Sequence, residues 1–210
     1  MAIYLDHVFV LTEPGAPIAD ELISKNFIEG SSNAHPGQGT ANRRFFFHGF
    51  TLELIFLTDE QESIEGPGKG LRFVDRWRDH DASPFGLVVR SDSAVSFPHW
   101  LYWPDYFKGE MSFAVGENSS KLQEPLCICM PLNLPKGQPP ESTCNKDLTL
   151  TNVNVSVAVD AFSETAKYFD SMDEVSLISD DMHQLELTFN DGAAGQSLDL
   201  LTPAPVRLIW

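Results

Sequence analysis

The feature that most constrains the fold of this chain is a repeated sequence pattern near its two ends. The segment LDHV, which contains His7, aligns with LTNV, which contains Asn152, and LELI around Glu53 aligns with LDLL around Asp199. His7 precedes Glu53 by 46 positions, and Asn152 precedes Asp199 by 47. Each segment has a strand pattern, then a helix pattern, then three further strand patterns. Because one such unit cannot bury its sheet face alone, the repeat predicts βαβββ modules packed together in an α+β fold.

The middle of the chain follows the same pattern less regularly. Residues 4–58 and 84–132 are predicted as two modules of one domain, residues 1–132. In the second module an aromatic segment stands in the place of the helix, and Gly86 and Cys127 fall where His7 and Glu53 do. Residues 133–146 are rich in Pro, Gly, Ser and Asn and are the predicted linker. Residues 147–210 are predicted to form a C-terminal module packed on the same domain.

Hydrophobic alternation and turn residues define the individual elements. The predicted helices span residues 17–25 and 70–80, with a third one capped by Asp160 or Ser163. The predicted strands span residues 4–11, 27–30, 43–48, 51–58, 84–90, 111–115, 126–130, 148–159, 175–178, 184–189 and 197–201.

Charge and cysteine content exclude several classes of function. The net charge of −16 repels nucleic-acid phosphates and anionic membrane surfaces, so neither is an expected partner. Apolar runs are far shorter than the ~20 residues that span a bilayer, and the first residues lack a signal-peptide pattern. The three cysteines are an odd and sparse set, which favours a reducing compartment. Two of them, Cys127 and Cys129, share one strand face and are interpreted as core residues. A cytoplasmic protein is therefore expected.

A resemblance to a known family rests on three segments. LDHV in the first strand, HPGQGTAN at 35–42 and LELI at 52–55 together resemble the glyoxalase-like branch of the vicinal oxygen chelate superfamily. The resemblance implies modules whose sheets pair into a cupped, half-open barrel, which in many members holds a divalent metal. Superfamily members often pair modules across chains, so a homodimer is an expectation, although three modules in one chain also allow internal pairing.

The same resemblance implies a metal site that this sequence matches in part. His7 and Glu53 match the ligand positions of one module, and they suit Mn²⁺, Fe²⁺, Ni²⁺ or Zn²⁺. If the first and last modules pair, Asp199 is the third ligand and Asn152 a weak fourth position. If the first and middle modules pair, Cys127 is the remaining candidate. No nucleotide cofactor is expected, since the glycine-rich segment lacks the lysine and the strand-to-helix context of a phosphate loop.

Candidate site residues follow from the chemistry of these segments. A carboxylate between leucines on an inner strand face is costly unless it is bound or paired, so Glu53 is the predicted catalytic residue. The loop before the hairpin holds His35, Thr40 and Asn42, with Arg43 or Arg44 nearby, and is interpreted either as a surface loop or as a substrate contact whose glycines let backbone amides approach an anionic or carbonyl group. The resemblance favours substrate contact, so His35, Thr40, Asn42 and Arg44 are the predicted substrate-binding residues. The aromatic segment at 99–107 is interpreted either as a pocket wall or as core.

Two functions from different classes remain open at this point. The first is a metal-dependent lyase, isomerase or dioxygenase that acts on a small oxygenated compound, with Glu53 or Asp199 moving a proton. The second is a metal-free protein that binds or sequesters a small hydrophobic or aromatic ligand. A third reading treats the repeat as structural and the acidic C-terminal module as a docking surface.

Overall fold

The computed structural model describes residues 3–107, 111–134, 141–200 and 205–210, and this part of the chain has an α+β fold with thirteen strands. No helix among these residues is long and apolar enough to cross a membrane. The helices are α1 (Ile18–Ser24), α2 (Glu60–Glu65), α3 (Phe73–Arg78) and α4 (Glu164–Asp170). The strands are β1 (Ile3–Leu11), β2 (Asn33–His35), β3 (Thr40–His48), β4 (Thr51–Leu57), β5 (Phe85–Ser91), β6 (His99–Tyr102), β7 (Phe113–Gly116), β8 (Leu126–Pro131), β9 (Cys144–Val157), β10 (Val175–Ser179), β11 (Gln184–Phe189), β12 (Ser197–Leu200) and β13 (Val206–Ile209).

Strands β1 to β8 hydrogen-bond in the order β2-β3-β4-β1-β5-β8-β7-β6. β1 runs parallel to β4 and β5 runs parallel to β8, whereas β1 and β5 pair antiparallel at the centre. The two groups of four strands therefore share one strand order and join through their first strands. Helix α1 follows β1, but no helix lies between β5 and β6. The aromatic segment that the sequence places there forms β6 instead.

Alternation of side chains along these strands separates two hydrophobic clusters. Val8 of β1 and Leu87 of β5 face a large cluster that also contains residues of α1, α4 and the C-terminal strands. Phe9 of β1 and Val88 of β5 face the opposite way, into a smaller cluster that includes Phe73 of α3. The first cluster holds the C-terminal segment against the β1–β8 sheet, and the second cluster borders a cavity on the other face.

The C-terminal strands do not pair in the way that the repeat predicts. β9 pairs with β3, with β10 in parallel and with β11 in the antiparallel sense. β12 pairs with β13, a strand that the sequence analysis did not predict, and β13 pairs with β11. In the N-terminal segment β4 pairs directly with β1, whereas β13 and β11 separate β12 from β9. The matching offsets in the sequence therefore do not correspond to matching strand pairs.

Three local predictions differ from the structure. The brief strand predicted at 27–30 is absent there, and the short strand of this region is β2, within the predicted loop. The helix predicted at 70–80 is interrupted at Arg72, whose φ of 59° ends a 3-10 helix before α3 begins. Helix α2 was not predicted, although Asp59 caps it by accepting a hydrogen bond from the Glu62 backbone N–H (2.9 Å).

Helix α4 packs on β8. This strand belongs to the group β5–β8, in which no helix follows the first strand. The buried Glu124 carboxylate fixes the start of α4, because it accepts hydrogen bonds from the backbone N–H (2.8 Å) and the hydroxyl (2.5 Å) of Ser163. Phe169 of α4 packs against Phe97, with ring centres 5.5 Å apart. β9 begins at Cys144, inside the predicted linker, of which residues 135–140 lie outside the described chain.

Candidate functional site

A cavity of about 490 Å³ lies on the face of the β1–β8 sheet that carries Phe9 and Val88. Strand alternation explains much of its lining, since alternate residues point into it, such as Arg44 and Phe46 of β3, Thr51, Glu53 and Ile55 of β4, Val88 and Arg90 of β5, and Ile128 and Met130 of β8. One part of the wall is polar and carries His7, His35 and Glu53. The remaining wall is largely apolar and includes Phe9, Leu71, Phe73, Val88, Phe113 and Ile128. The cavity thus has a charged, hydrogen-bonding part and a hydrophobic part.

Two buried side chains, Asp6 and Arg90, form an ion pair, and Asp6 also holds the ring of His7. The register of β1 against β5 shifts between Leu5 and His7, so the adjacent side chains of Asp6 and His7 both reach the cavity. The Asp6 carboxylate accepts from His7 Nδ1 at 2.9 Å and from Arg90 Nε at 2.7 Å. Arg90 also donates to the Leu134 carbonyl. Because Asp6 occupies Nδ1, the other ring nitrogen of His7, Nε2, is the one left for a ligand.

The pKa of His7 is raised above its ordinary value of 6.5 by opposing effects. Burial lowers the pKa, and it is the largest single cause. The negative charge of Glu53 and the hydrogen bond to Asp6 together outweigh burial, against a smaller opposing effect of Arg90. The environment of His7 therefore favours uptake of a proton.

Glu53 is the carboxylate of the polar wall. It lies on β4, opposite Arg44 of β3 and Phe9 of β1 in the strand register. Its carboxylate has no hydrogen-bond or ion-pair partner within the described part of the chain, yet its charge influences His7, His35 and Arg44. A half-buried carboxylate with charged neighbours and no direct partner is free to bind a ligand or accept a proton.

His35 belongs to a second hydrogen-bonded group. Its Nδ1 lies 2.9 Å from the Thr40 hydroxyl, which accepts from the Gln38 side-chain amide at 2.8 Å. The Gln38 carbonyl oxygen in turn accepts from the hydroxyls of Tyr102 (3.3 Å) and Tyr106 (3.5 Å). Burial lowers the pKa of His35 and raises the pKa of Tyr102 to about 12. His35 and both tyrosines are therefore neutral near neutral pH.

Arg44 lies at the edge of the polar wall. Its guanidinium donates to the backbone carbonyl (2.6 Å) and to the hydroxyl (3.0 Å) of Ser31, and it covers the ring of Phe46 at 5.0 Å. Burial lowers the pKa of Arg44, and the charge of Glu53 opposes this change. With these partners Arg44 is held in place as a fixed positive charge near Glu53.

The structure brings together four of the predicted site residues directly, since His7, Glu53, His35 and Arg44 all line the cavity. Thr40 is not part of the lining, but its hydroxyl lies 2.9 Å from Nδ1 of His35. Asn42 lies elsewhere: its side-chain oxygen accepts from the Asn33 backbone N–H at 2.7 Å, within the β2–β3 pair, and it does not line the cavity.

Asp199 is not brought to the other predicted metal ligands. It lies on β12, where its side chain is 62% exposed and 3.4 Å from Arg207, and it is absent from the cavity wall. Asn152 bonds to Asn154 on β9. A third ligand from the C-terminal segment is therefore not in place.

The two middle positions that the repeat aligns with His7 and Glu53, namely Gly86 and Cys127, supply no ligand either. Gly86 lies under the ring of Phe9, which leaves no space for a Cβ atom. Cys127 faces the opposite cluster, as the core interpretation predicts, and the side chains that face the cavity here include Val88, Ile128 and Met130. In the described chain no group of three His, Cys, Asp or Glu residues is placed to hold a metal. The residues present therefore do not complete the ligand set that the resemblance implies.

Several site residues were missed in the sequence. Asp6 was noted only as a neighbour of His7, and no local pattern indicated Arg90 or Gln38, because their partners lie far along the chain. The aromatic segment gave a partial signal, since Tyr102, Tyr106 and Phe107 do line the cavity.

Comparison with known proteins supports the fold and leaves the chemistry open. A crystal structure of a hypothetical protein from Staphylococcus aureus is similar to this chain over 99% of both chains, with a TM-score of 0.59 and 11% sequence identity. At that identity the similarity concerns the fold alone. No known protein family and no curated protein matches the sequence.

Proposed function

We propose that this chain is a glyoxalase-like protein whose paired β1–β4 and β5–β8 modules form a cup that binds a small oxygenated compound and moves a proton on it. The observation that carries the proposal is that one cavity wall holds both the Asp6-supported His7 and the Glu53 carboxylate, which has no hydrogen-bond partner within the described residues. Proton transfer needs a group that accepts a proton and a second group that tolerates the resulting charge.

The division of the wall supports a particular kind of ligand. The volume of about 490 Å³ falls within the range of about 300–1,000 Å³ that is usual for small-molecule sites. The apolar side chains of Phe9, Phe73 and Phe113 suit an aromatic or aliphatic body. The polar side chains suit an oxygenated end group, which would lie against His7, Glu53 and His35.

The proposed chemistry uses one group that removes a proton from the ligand and a second group that takes up or returns a proton. Glu53 would remove a proton from the ligand, because its carboxylate has no partner to displace among the residues that the structure describes. His7, with Nδ1 held by Asp6, would take up or return a proton at Nε2. Arg44 would stabilise the negative charge that remains on the ligand.

A metal-dependent reaction is the second candidate, and one observation favours it. A histidine whose Nδ1–H is held by a carboxylate is the usual arrangement behind a metal-bound imidazole. His7 and Glu53 would then hold Mn²⁺, Fe²⁺, Ni²⁺ or Zn²⁺, which would supply a Lewis acid for the lyase, isomerase or dioxygenase chemistry of the superfamily. The candidate stands second because these two residues alone make an incomplete ligand set.

Metal content separates the two candidates. The protein would be purified without chelator and measured by plasma mass spectrometry beside Glu53→Gln, with Asp199→Asn as a matched control that also neutralises one carboxylate. Near-stoichiometric metal that is lost only in Glu53→Gln supports the metal-dependent candidate. Metal that is lost equally in both variants contradicts the assignment of the site to Glu53.

Proton transfer is tested directly by exchange. Aromatic and aliphatic carbonyl compounds would be incubated with the protein in D₂O, and deuterium incorporation beside the carbonyl would be followed by NMR. We expect exchange that Glu53→Gln abolishes while binding remains. Full exchange in Glu53→Gln would refute the role of Glu53, and binding without exchange would favour the sequestration alternative.

A further inference from the structure

We propose that the Gln38–Thr40 hydrogen bonds hold His35 as the neutral Nε2–H tautomer, and that this N–H recognises a carbonyl oxygen of the ligand. The inference deepens the proposed function and rests on it in one respect, namely that the ligand occupies the same cavity. It assigns the ligand class as carbonyl compounds with an acidic C–H group beside the carbonyl.

The tautomer follows from the direction of each hydrogen bond in the group. Gln38 presents its Oε1 to the hydroxyls of Tyr102 and Tyr106 and its Nε2 to Thr40 Oγ1 at 2.8 Å. An amide NH₂ group only donates, so in this orientation Thr40 Oγ1 accepts from Gln38. Thr40 keeps one hydroxyl proton to donate, and His35 Nδ1 lies 2.9 Å away. Nδ1 is then the acceptor, so the ring proton must be on Nε2.

The Nε2–H group is the part of His35 that remains for a ligand. The side chain is buried and its ring lies 5.2 Å from the ring of Tyr106, so the imidazole cannot turn freely. Nε2 has no hydrogen-bond partner within the described chain, although His35 lines the cavity. Nε2 is open to the cavity rather than shut away from solvent, so a ligand oxygen can accept from it in place of water.

His35 stays neutral because of the groups that face it. Burial lowers its pKa most strongly, the charges of Arg44 and His7 lower it further, and only Glu53 raises it. A neutral donor suits an oxygen that gains negative charge during the reaction, as neutral N–H groups do in oxyanion holes.

The two histidines of the cavity therefore present opposite groups. When its ring is neutral, His7 has its proton on Nδ1, toward Asp6, and offers Nε2 as an acceptor. His35 offers Nε2–H as a donor. A carbonyl compound with an adjacent acidic C–H bond matches both: the C–H bond breaks, its electron pair forms the C=C bond of an enolate, and the proton passes to Glu53. The carbonyl oxygen takes the negative charge, and His35 donates to it.

The tautomer is tested without any ligand. Long-range ¹H–¹⁵N NMR spectra near neutral pH distinguish the two neutral tautomers from the charged ring, and His35→Gln identifies the signal. We expect the Nε2–H pattern in the wild type and in Thr40→Ser, which keeps the hydroxyl, and loss of this preference in Thr40→Val.

The Gln38→Glu variant should reverse the pattern. A carboxylate at position 38 accepts from Thr40 instead of donating to it, so Thr40 accepts from His35 and the proton moves to Nδ1. A wild-type signal of the Nδ1–H or charged form would overturn the inference, as would an unchanged tautomer in Gln38→Glu. If Gln38→Glu does not fold, an unchanged tautomer in Thr40→Val would do the same.

Recognition of the oxygen is tested with 4-nitrophenol, whose phenolate imitates an enolate and whose absorption reports binding. A hydrogen bond to a charged oxygen predicts affinity about tenfold or more lower in His35→Phe, with nitrobenzene changing about twofold or less. Equal losses for both probes would overturn recognition by the N–H group. A correct tautomer without proton exchange on any carbonyl compound would keep the inference and refute the proposed reaction.

Discussion

Replacing Arg90 with Met tests the buried ion pair of Asp6 and Arg90 beside His7. Arg90 and Asp6 form an ion pair of 2.7 Å, and their side chains are only 6% and 9% exposed. Methionine fills much of the same volume but has no charge, so Asp6 would lose one of its buried partners. Buried carboxylates that lose a partner destabilise a fold far more than exposed ones, because water cannot replace the lost interaction.

The expected loss is about 3–5 kcal/mol in the free energy of unfolding, the usual cost of breaking a buried ion pair from one side. The double variant Asp6→Leu with Arg90→Met should recover most of it, since an apolar pair leaves no unpaired buried charge. Arg78→Met is the matched control. Arg78 pairs with Glu60 on the surface, where the side chains are 61% and 48% exposed, and the expected loss is about 0–1 kcal/mol.

Urea unfolding followed by tryptophan fluorescence measures five proteins: the wild type, Arg90→Met, Asp6→Leu, the double variant and Arg78→Met. The reasoning would be refuted by an Arg90→Met loss as small as that of Arg78→Met. It would also be refuted if the double variant lost as much free energy of unfolding as Asp6→Leu and Arg90→Met added together. Additive losses would mean that the two charges do not stabilise each other.

Three further predictions concern other parts of the molecule. Burial raises the pKa of Cys127 to about 12 and that of Cys129 to about 11, so Ellman's reagent should modify the half-buried Cys144 in the folded protein and the other two thiols only after unfolding. The lowered pKa of His35 means that its contribution to stability is present above pH 6.5 and is lost as the pH falls through the folded-state pKa. In urea unfolding at a series of pH values, the wild type should therefore lose stability more steeply than His35→Gln below pH 6.5, and parallel curves would contradict the lowered pKa. Phe169→Ala should cost about 3–5 kcal/mol in the same assay, because it empties a fully buried position between α4 and the sheet; a loss near zero would show that α4 does not contribute to the core.

Local patterns were enough to predict most of the β1–β8 strands. Alternation identified β1, β4 and β5, and it correctly placed Glu53 with Ile55 on one face, since both line the cavity. The predicted helix at 70–80 covers a segment whose Leu71 and Phe73 are buried, but the prediction missed the break at Arg72. Periodicity reports which face is buried, whereas a single left-handed residue leaves that pattern unchanged.

Strand pairing and the second half of the site depend on contacts that no local pattern reports. The offset of Asp199 from Asn152 resembled that of Glu53 from His7, but β13 inserts between their strands and separates them. The chain from His7 through Asp6 to Arg90 needs a bulge and a partner 84 positions away from Asp6. Similarly, Gln38 meets Tyr102 only because β6 lies at the cavity wall. The sequence therefore predicted His7 and Glu53 as site residues. It did not predict the roles of Asp6, Arg90 and Gln38, because the fold brings their partners to them from distant parts of the chain.

The position of α4 has a consequence for how the chain is made. During synthesis, β1 to β8 leave the ribosome well before α4, so the apolar face formed by Phe97, Cys127 and Cys129 has no cover until residue 169 has emerged. Segments that emerge first can associate with other chains while such a face is exposed. Shortened chains that end before α4 should accordingly bind chaperones or aggregate during expression more than the 210-residue chain does.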